Sequence, residues 1–369
     1  MNNDYTINLP EKLEVNLINF ISLKFIILAS LFYLKGEIKM KKFILQLVLI
    51  ITLLTLVSCG NSSKISDKKV LRIGYPGTQS ALAGVAGIAQ EKGYIDSYLK
   101  ELGYSVEYIS FPSAGPGVNE ALASNEIDVA IYADFPAILI QSKGVNTSLI
   151  GITDNYTTSA IVVSNNSDIS SVKDLKGKRI GFTKGTYMRK YIYEILALSG
   201  IKLDEVELIN TTDGEAALQG NSIDAIVTTD WNEGVLVQTK KIAKTLDSSK
   251  NHQDITAQTV IVGNKEYLNK NEEAVVAFLK ALIKGKEFLI ENTDEAFDIL
   301  TNTGYSREVI SNLMGKDDNK FDFVSLDITE DSIKKLQSSK EFMLKNNIIS
   351  KDFDINQWVD RSFYEKAIK

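Results

Sequence analysis

The 369-residue chain contains one Cys, one His and two Trp. A single cysteine, Cys59, excludes internal disulfides, cysteine clusters and CxxC redox chemistry. A single histidine, His252, rules out a multi-His metal centre and allows a Ser-His-Asp triad only around itself. It lies in the polar stretch 248–254 and reads as a surface residue. Neither a P-loop nor a GxGxxG run is present. Basic residues do not exceed acidic ones, 41 against 47, for a formal charge of −6. A nucleic-acid surface needs the opposite balance. What is there is a globular mixture, 44% hydrophobic and 24% charged, with enough length for two domains.

The N-terminal sixty residues read as an address. Met40, Lys41 and Lys42 form a short basic start, and 43–57 is almost wholly apolar. These 15 residues fall short of the roughly 20 that a spanning helix needs, but they suit a secretory signal. Residues 56–59, Leu-Val-Ser-Cys, resemble the lipobox of bacterial lipoproteins. That resemblance implies that Cys59 becomes a lipidated N-terminus. Because such a signal should open the chain, residues 1–39 are expected to be upstream sequence read in frame. Lys35-Gly36-Glu37 fits a purine-rich ribosome-binding sequence ahead of Met40. Residues 1–39 carry four Lys and four acids and 40–58 two Lys, so the charge from Cys59 onward is −8. Residues 59–69 are polar and read as a tether.

One unit then occurs twice. Strand-like runs at 70–75, 106–111 and 127–132 alternate with turns and helical stretches, which predicts parallel β-α-β units. The first helix is expected over 81–92. Arg72-Ile-Gly-Tyr75 is echoed by Arg179-Ile-Gly-Phe182, and 106–109 (VEYI) by 206–209 (VELI). The run 125–135 (NEIDVAIYADF) is echoed by 221–231 (NSIDAIVTTDW). Two sister α/β lobes are therefore expected, at 70–160 and 161–255. The extended runs 158–164 and 256–263 cross between them and act as a hinge. The span 256–369 should return to lobe 1 and close the fold with helices, since apolar residues from Ala274 to Ile283 recur at helical spacing.

Ligands of parallel α/β sheets bind at the carboxyl ends of strands, where loops open helices whose free N–H groups attract anions. Candidate ligand-binding residues in these loops are Gln79, Ser80, Ser113, Ala114, Gly115, Thr186, Tyr187 and Asp213, with Thr158 at the first crossing. Lys184 and Arg189 are the nearest candidate charges. The duplicated pairs Asp134-Phe135 and Asp230-Trp231 are also candidates. Their rings would form an apolar wall, and their carboxylates would either cap helices or face an ammonium or hydroxyl group. Two carboxylates also raise general acid/base work, but no further catalytic set accompanies them.

Five stretches resemble solute-binding proteins of ABC importers, in particular the group that binds aliphatic sulfonates, taurine, nitrate and pyrimidine precursors. They are 71–75 (LRIGY), 111–115 (FPSAG), 127–137 (IDVAIYADFPA), 172–179 (VKDLKGKR) and 184–186 (KGT). The resemblance covers about 70–235. It implies a type II periplasmic-binding-protein fold that closes on one small solute and docks on a permease with its ATPase subunits. Relatives often carry Trp-Asp-Pro where this chain has Asp230-Trp231-Asn232, so the solute itself stays open. The expectation is a monomeric lipoprotein, tethered outside the cytoplasmic membrane through Cys59, without cofactor or metal, that captures a small organic anion. An aliphatic sulfonate such as an alkanesulfonate or taurine comes first. Alternatives are nitrate, or a heterocycle such as a thiamine or pyrimidine precursor or riboflavin. An enzyme on the same fold, such as a dehydratase or precursor synthase, and a surface adhesion lipoprotein stand further back.

Overall fold

The computed structural model of the protein describes residues 69–315 and 321–369. Residues 1–39, the signal 40–58, Cys59 and the tether up to 68 lie outside the described residues. Lys69, the tether's last expected residue, already opens the first strand.

Two five-stranded sheets organise residues 69–369. The first contains β1 (Lys69–Pro76), β2 (Tyr104–Phe111), β3 (Val129–Ala133), β4 (Thr147–Thr157) and β10 (Ala257–Asn264), in the order β2-β1-β3-β10-β4. The second contains β5 (Ser159–Ser164), β6 (Arg179–Phe182), β7 (Glu207–Asn210), β8 (Ala225–Thr229) and β9 (Ala243–Ser248), in the order β7-β6-β8-β5-β9. In each sheet three strands run parallel, and one strand that comes from the other lobe pairs antiparallel beside them. The two orders are the same once β1, β2, β3, β10 and β4 are matched to β6, β7, β8, β5 and β9.

The side chains explain why the lobes share a pattern. Arg72 donates from its backbone N and its guanidinium to Asp128 at 2.6–3.0 Å. Arg179 holds Asp224 in the same way at 2.8–3.1 Å. Asn125 and Asn221, each three residues before its Asp, both adopt positive φ, 60° and 55°. Gly74 and Gly181 leave room for the isoleucine before each Asp: a Cβ at Gly74 would lie 2.3 Å from Ile127 Cδ1, and one at Gly181 2.6 Å from Ile223 Cδ1. Each echoed sequence position thus performs the same packing task.

The parallel strands are connected by α1 (Gly84–Glu91), α2 (Tyr94–Glu101), α3 (Gly115–Ala123) and α4 (Asp134–Ser142) in the first lobe. In the second lobe they are α5 (Met188–Leu198), α6 (Gly214–Gln219) and α7 (Asp230–Gly234). After β10 come α8 (Lys265–Lys270), α9 (Glu272–Glu291), α10 (Thr293–Leu300), α11 (Arg307–Met314), α12 (Glu330–Lys345), α13 (Ile355–Trp358) and α14 (Ser362–Ala367). The helix expected over 81–92 is the single shorter helix α1, which begins only at Gly84, and α2 follows from Tyr94. Helix α9 presents Phe278, Leu279 and Leu282 to Leu71, Ile73 and Leu99 of lobe 1, all fully buried. A buried side chain of this size contributes roughly 1.5–3 kcal/mol, so the C-terminal helices complete the lobe 1 core. A second cluster gathers Phe135, Ile138, Met343 and Trp358, and the indole Nε1 of Trp358 donates to Thr147 Oγ1 at 3.1 Å.

The two crossings lie side by side. β4 leads through Thr158 into β5, and the Thr157 and Thr259 hydroxyls meet at 2.8 Å. Ser159 N donates to Ser249 Oγ at 2.9 Å, beside the returning crossing. The C-terminal segment also reaches the second lobe: Asn312 Nδ2 donates to Gln238 Oε1 at 2.8 Å, and Tyr305 packs on Trp231 with ring centroids 5.0 Å apart.

Candidate functional site

A cleft of about 530 Å³ opens between the lobes at the carboxyl ends of the parallel strands. That size lies in the range of small-molecule sites. Its lining comes from β1 and the turn after it, the starts of α1, α3, α4 and α5, the strand ends at Thr229 and Thr259, and Tyr305 and Phe323 of the C-terminal segment.

The helix starts carry the anion-binding potential. α1, α3 and α5 have eight, nine and eleven residues, and their N-cap positions are Ala83, Ala114 and Tyr187. None of the three caps supplies a side-chain hydrogen bond. Asn264, Ser306 and Thr329 cap α8, α11 and α12 through their side chains, as Thr229 caps α7 at the cleft, whereas α2, α9, α10 and α14 have no side-chain cap either. Alanine is among the poorest caps because it has no acceptor for the first-turn N–H groups. Leaving three such starts at one cleft sets partial positive charge there for a ligand's oxygens to meet. Ala114 sits at φ 56°, ψ −144°, a conformation that costs a residue with a Cβ about 1–3 kcal/mol. The turn before α3 is thereby held in a strained shape that places Ala114 and Gly115 on the cleft wall.

Of the residues expected from the sequence, Gln79, Ala114, Gly115, Thr186, Tyr187, Asp230 and Trp231 line the cleft. Six do not. Ser80 is exposed, because α1 starts at Gly84 and the cleft is lined instead by Ala83, Gly84 and Val85. Ser113 turns back onto its own helix, where a Cβ at Gly117 would lie 2.1 Å from its Oγ. Asp134 and Phe135 are each 1% exposed and belong to the interior. Thr158 is buried at the crossing, where its hydroxyl donates to Asp230 Oδ2 at 2.5 Å. Asp213 caps α6 and lines a smaller cavity of about 250 Å³ that shares Thr183, Thr212 and Asn232 with the main cleft. Lys184 is exposed, and Arg189 donates to Tyr193 Oη at 3.2 Å; neither lines the cleft.

No Lys, Arg or His belongs to the cleft lining among the described residues, whereas Asp154 and Asp230 do. Burial pushes the Asp154 carboxyl up to about 7, and the charge of Asp230 adds to the rise. Tyr156 N–H, donating to Asp154 Oδ1 at 2.7 Å, and Lys335 oppose it. Burial also raises Asp230, against the Thr158 hydroxyl, Lys250 and the Trp231 N–H. Behind the cleft lies a second polar cluster. Lys190 of α5, 3% exposed, donates to Ser339 Oγ of α12 at 3.4 Å, and Ser339 Oγ donates to Asp134 Oδ2 at 2.9 Å. Burial raises Asp134, and Lys190 is the largest opposing influence.

Sequence reading missed Asp154, Tyr75, Tyr305 and Phe323, which all line the cleft. Tyr75 ends the quoted strand 70–75, so its place at a carboxyl end was a usable signal. Asp154 lies in the polar second half of β4, Thr153-Asp-Asn155, which carries no turn or helix-start signal, and Tyr305 and Phe323 lie far along the chain with no motif around them.

Comparison with known proteins agrees with this architecture. The sequence model described as "NMT1/THI5 like" matches residues 83–296, more than half of the chain. A putative aliphatic sulfonates-binding protein of Bacillus subtilis is 28% identical over 334 residues, covering 89% of this chain and 98% of that protein. Among solved structures, the alkanesulfonate-binding protein SsuA from Xanthomonas axonopodis pv. citri, bound to MOPS, superposes with a TM-score of 0.67. It is 20% identical and covers 79% of this chain and 98% of its own. The desulfurization enzyme DSZB has the same fold, with a TM-score of 0.65 at 15% identity over 81% of this chain and 99% of its own. With its sister lobes, double crossing and interlobe cleft, the chain has the periplasmic-binding-protein fold and belongs to the NMT1/THI5-like family.

Proposed function

We propose that the protein is the extracytoplasmic solute-binding component of an ABC importer and captures a small organic anion, with an aliphatic sulfonate first, between its lobes. The observation that carries this reading is the convergence of three helix starts without side-chain caps on one 530 Å³ cleft. A sulfonate has three oxygens that accept hydrogen bonds and no proton to give at neutral pH, which suits uncapped N–H groups and the hydroxyls of Thr78 and Thr212. Rings of Tyr75, Tyr132 and Trp231 supply apolar surface for the carbon part. The sulfonate-binding names of the Bacillus relative and the Xanthomonas structure support the same choice.

Binding draws the lobes together about the two crossings, and the closed form signals a permease. The cleft is a receptor site rather than a catalytic one. DSZB shows that this fold also hosts an enzyme, so each bound solute must be recovered unchanged. Cys59 carries the lipid anchor and the protein acts as a monomer. Titration calorimetry with alkanesulfonates, nitrate and methylpyrimidines tests the solute class. Micromolar or tighter binding of at least one sulfonate is expected, and silence toward every sulfonate sinks the reading. Labelling with a radioactive fatty acid, lost in Cys59→Ser, tests the anchor.

A further inference from the structure

We propose that α11 of the C-terminal segment is a latch. Anchored to the first lobe, it grips α7 of the second only when the lobes are closed, and Tyr305 couples that grip to the solute. The closing motion rests on the receptor reading above; the latch rests on separate contacts.

Helix α11 has two working faces. Ile310 and Met314, one turn apart, are buried with Val85 and Ile88 of α1 and Phe297 and Leu300 of α10. Arg307 pairs with Asp294 at 2.6 Å and also with Asp298. These contacts fix α11 to the first lobe. Ser306, Val309 and Asn312 recur at a spacing that places them along another face, and this face meets the second lobe. The Ser306 and Thr239 hydroxyls lie 3.4 Å apart, and Asn312 Nδ2 donates to Gln238 Oε1 at 2.8 Å. Gln238 and Thr239 belong to a π-helical turn, Val235–Thr239, that continues α7. Turns of this kind are frequent at functional sites. Val309, fully buried, fits against Gly234, where a Cβ would lie 2.7 Å from Val309 Cγ1. Just before the helix, Tyr305 stacks on Trp231 at 5.0 Å, and both rings line the cleft.

The anchoring makes the grip depend on closure. Rotation about the two crossings carries α7 away with the second lobe, while Arg307 and Ile310 hold α11 to the first. The polar groups of Ser306, Thr239, Gln238 and Asn312 lie at exposed contacts. Water replaces their hydrogen bonds on opening, so release costs little. A solute between the lobes touches both members of the Trp231–Tyr305 stack and adds to a grip that is weak in the empty cleft. It thereby shifts the population toward the closed form. Tyr305 acts as a positioning residue for the Trp231 wall.

Cross-linking tests the latch. Thr239→Cys with Ser306→Cys, in a Cys59→Ser background, puts two thiols where the hydroxyls meet, and diamide is expected to join them. Small-angle scattering without solute then compares two redox states of one protein, so the loss of the Ser306 cap cancels. Oxidation is expected to reduce the radius of gyration. Thiols that stay apart, or one profile in both states, would overturn the latch. Should this pair fold poorly, Gln238→Cys with Asn312→Cys, bridged by dibromobimane, repeats the comparison at the second contact and is read the same way. Butane-1-sulfonate supplies a further readout. Added before oxidation it should survive dialysis, and added afterwards it should be excluded; equal release in both states would also overturn the latch. If it never binds the reduced protein, the sulfonate reading falls and the scattering comparison still decides the latch.

Discussion

Asp154 concentrates the tension between stability and recognition at a single residue. Its carboxyl is pushed up to about 7 by burial and by Asp230, whereas an aspartate in an unfolded chain titrates near 3.9. Between about pH 4 and 7 the folded protein therefore holds a proton that the unfolded chain has released. Stability falls as pH rises through that window. Asp154→Asn removes this contribution. Its melting temperature should exceed that of the parent by more at pH 8 than at pH 4.5, as followed by differential scanning fluorimetry without ligand. An offset that stays the same across the range would refute the assignment. Nothing in the sequence around Asp154 marks it, because its role comes from the fold bringing Asp230 and a cavity to its side.

At the scale of elements, helix starts and helix crossings divide the labour. The starts of α1, α3 and α5 at the cleft are left without side-chain caps, and the long helix α9 is fitted closely against α1. Gly285 makes that approach possible: a Cβ there would lie 2.6 Å from the Val85 carbonyl oxygen and 3.0 Å from Ala89 Cβ. Backbone cannot swing aside as a side chain can, so Gly285→Ala should force the two helices apart. The expected loss is about 1–3 kcal/mol, the usual cost of overpacking, and exceeds the roughly 1 kcal/mol that alanine gains over glycine in a helix interior. A urea midpoint unchanged or raised at constant slope would contradict this. Val85 lines the cleft and α1 supplies one of its uncapped starts, so the same variant should also weaken solute binding. The helical periodicity of α9 was legible in its apolar spacing, but the need for glycine at 285 was not. It arises from a partner some 200 residues earlier.

Across the whole molecule, the lobes are joined by more than the hinge. Lys190 of the second lobe is 3% exposed and reaches Ser339, which in turn donates to buried Asp134 of the first. None of the three lines the cleft. Opening the lobes would return Lys190 to water, so this contact favours the closed form alone. A hydrogen bond to a charged group contributes about 1.5–3 kcal/mol, and about 1.4 kcal/mol is tenfold in affinity. Lys190→Met is thus expected to weaken solute binding about tenfold or more by depleting the closed population. Ser339→Ala should do so to a lesser degree. Trp231 fluorescence titration measures the affinity and small-angle scattering the shape. Unchanged affinity in both variants would show that the contact has no part in closure.

Sequence alone determined the duplicated lobes, the crossings and the family, because each rests on local chemistry. Arg72 and Arg179, Asp128 and Asp224, and Gly74 and Gly181 repeat where the same packing problem is solved twice. It also determined that turns opening helices follow the parallel strands, since β-turn-α grammar is written in consecutive residues. Tertiary structure alone decided which members of those loops face the cleft. A start at Gly84 instead of 81 turned Ser80 outward, and the sister residue of Asp230, Asp134, went into the interior beneath α12 and Lys190. It also decided the electrostatic character of the site. Asp154, Asp230 and Tyr305 come from three distant stretches of chain, and the potential they create depends on distance and exclusion of water, neither of which is encoded in the order of residues.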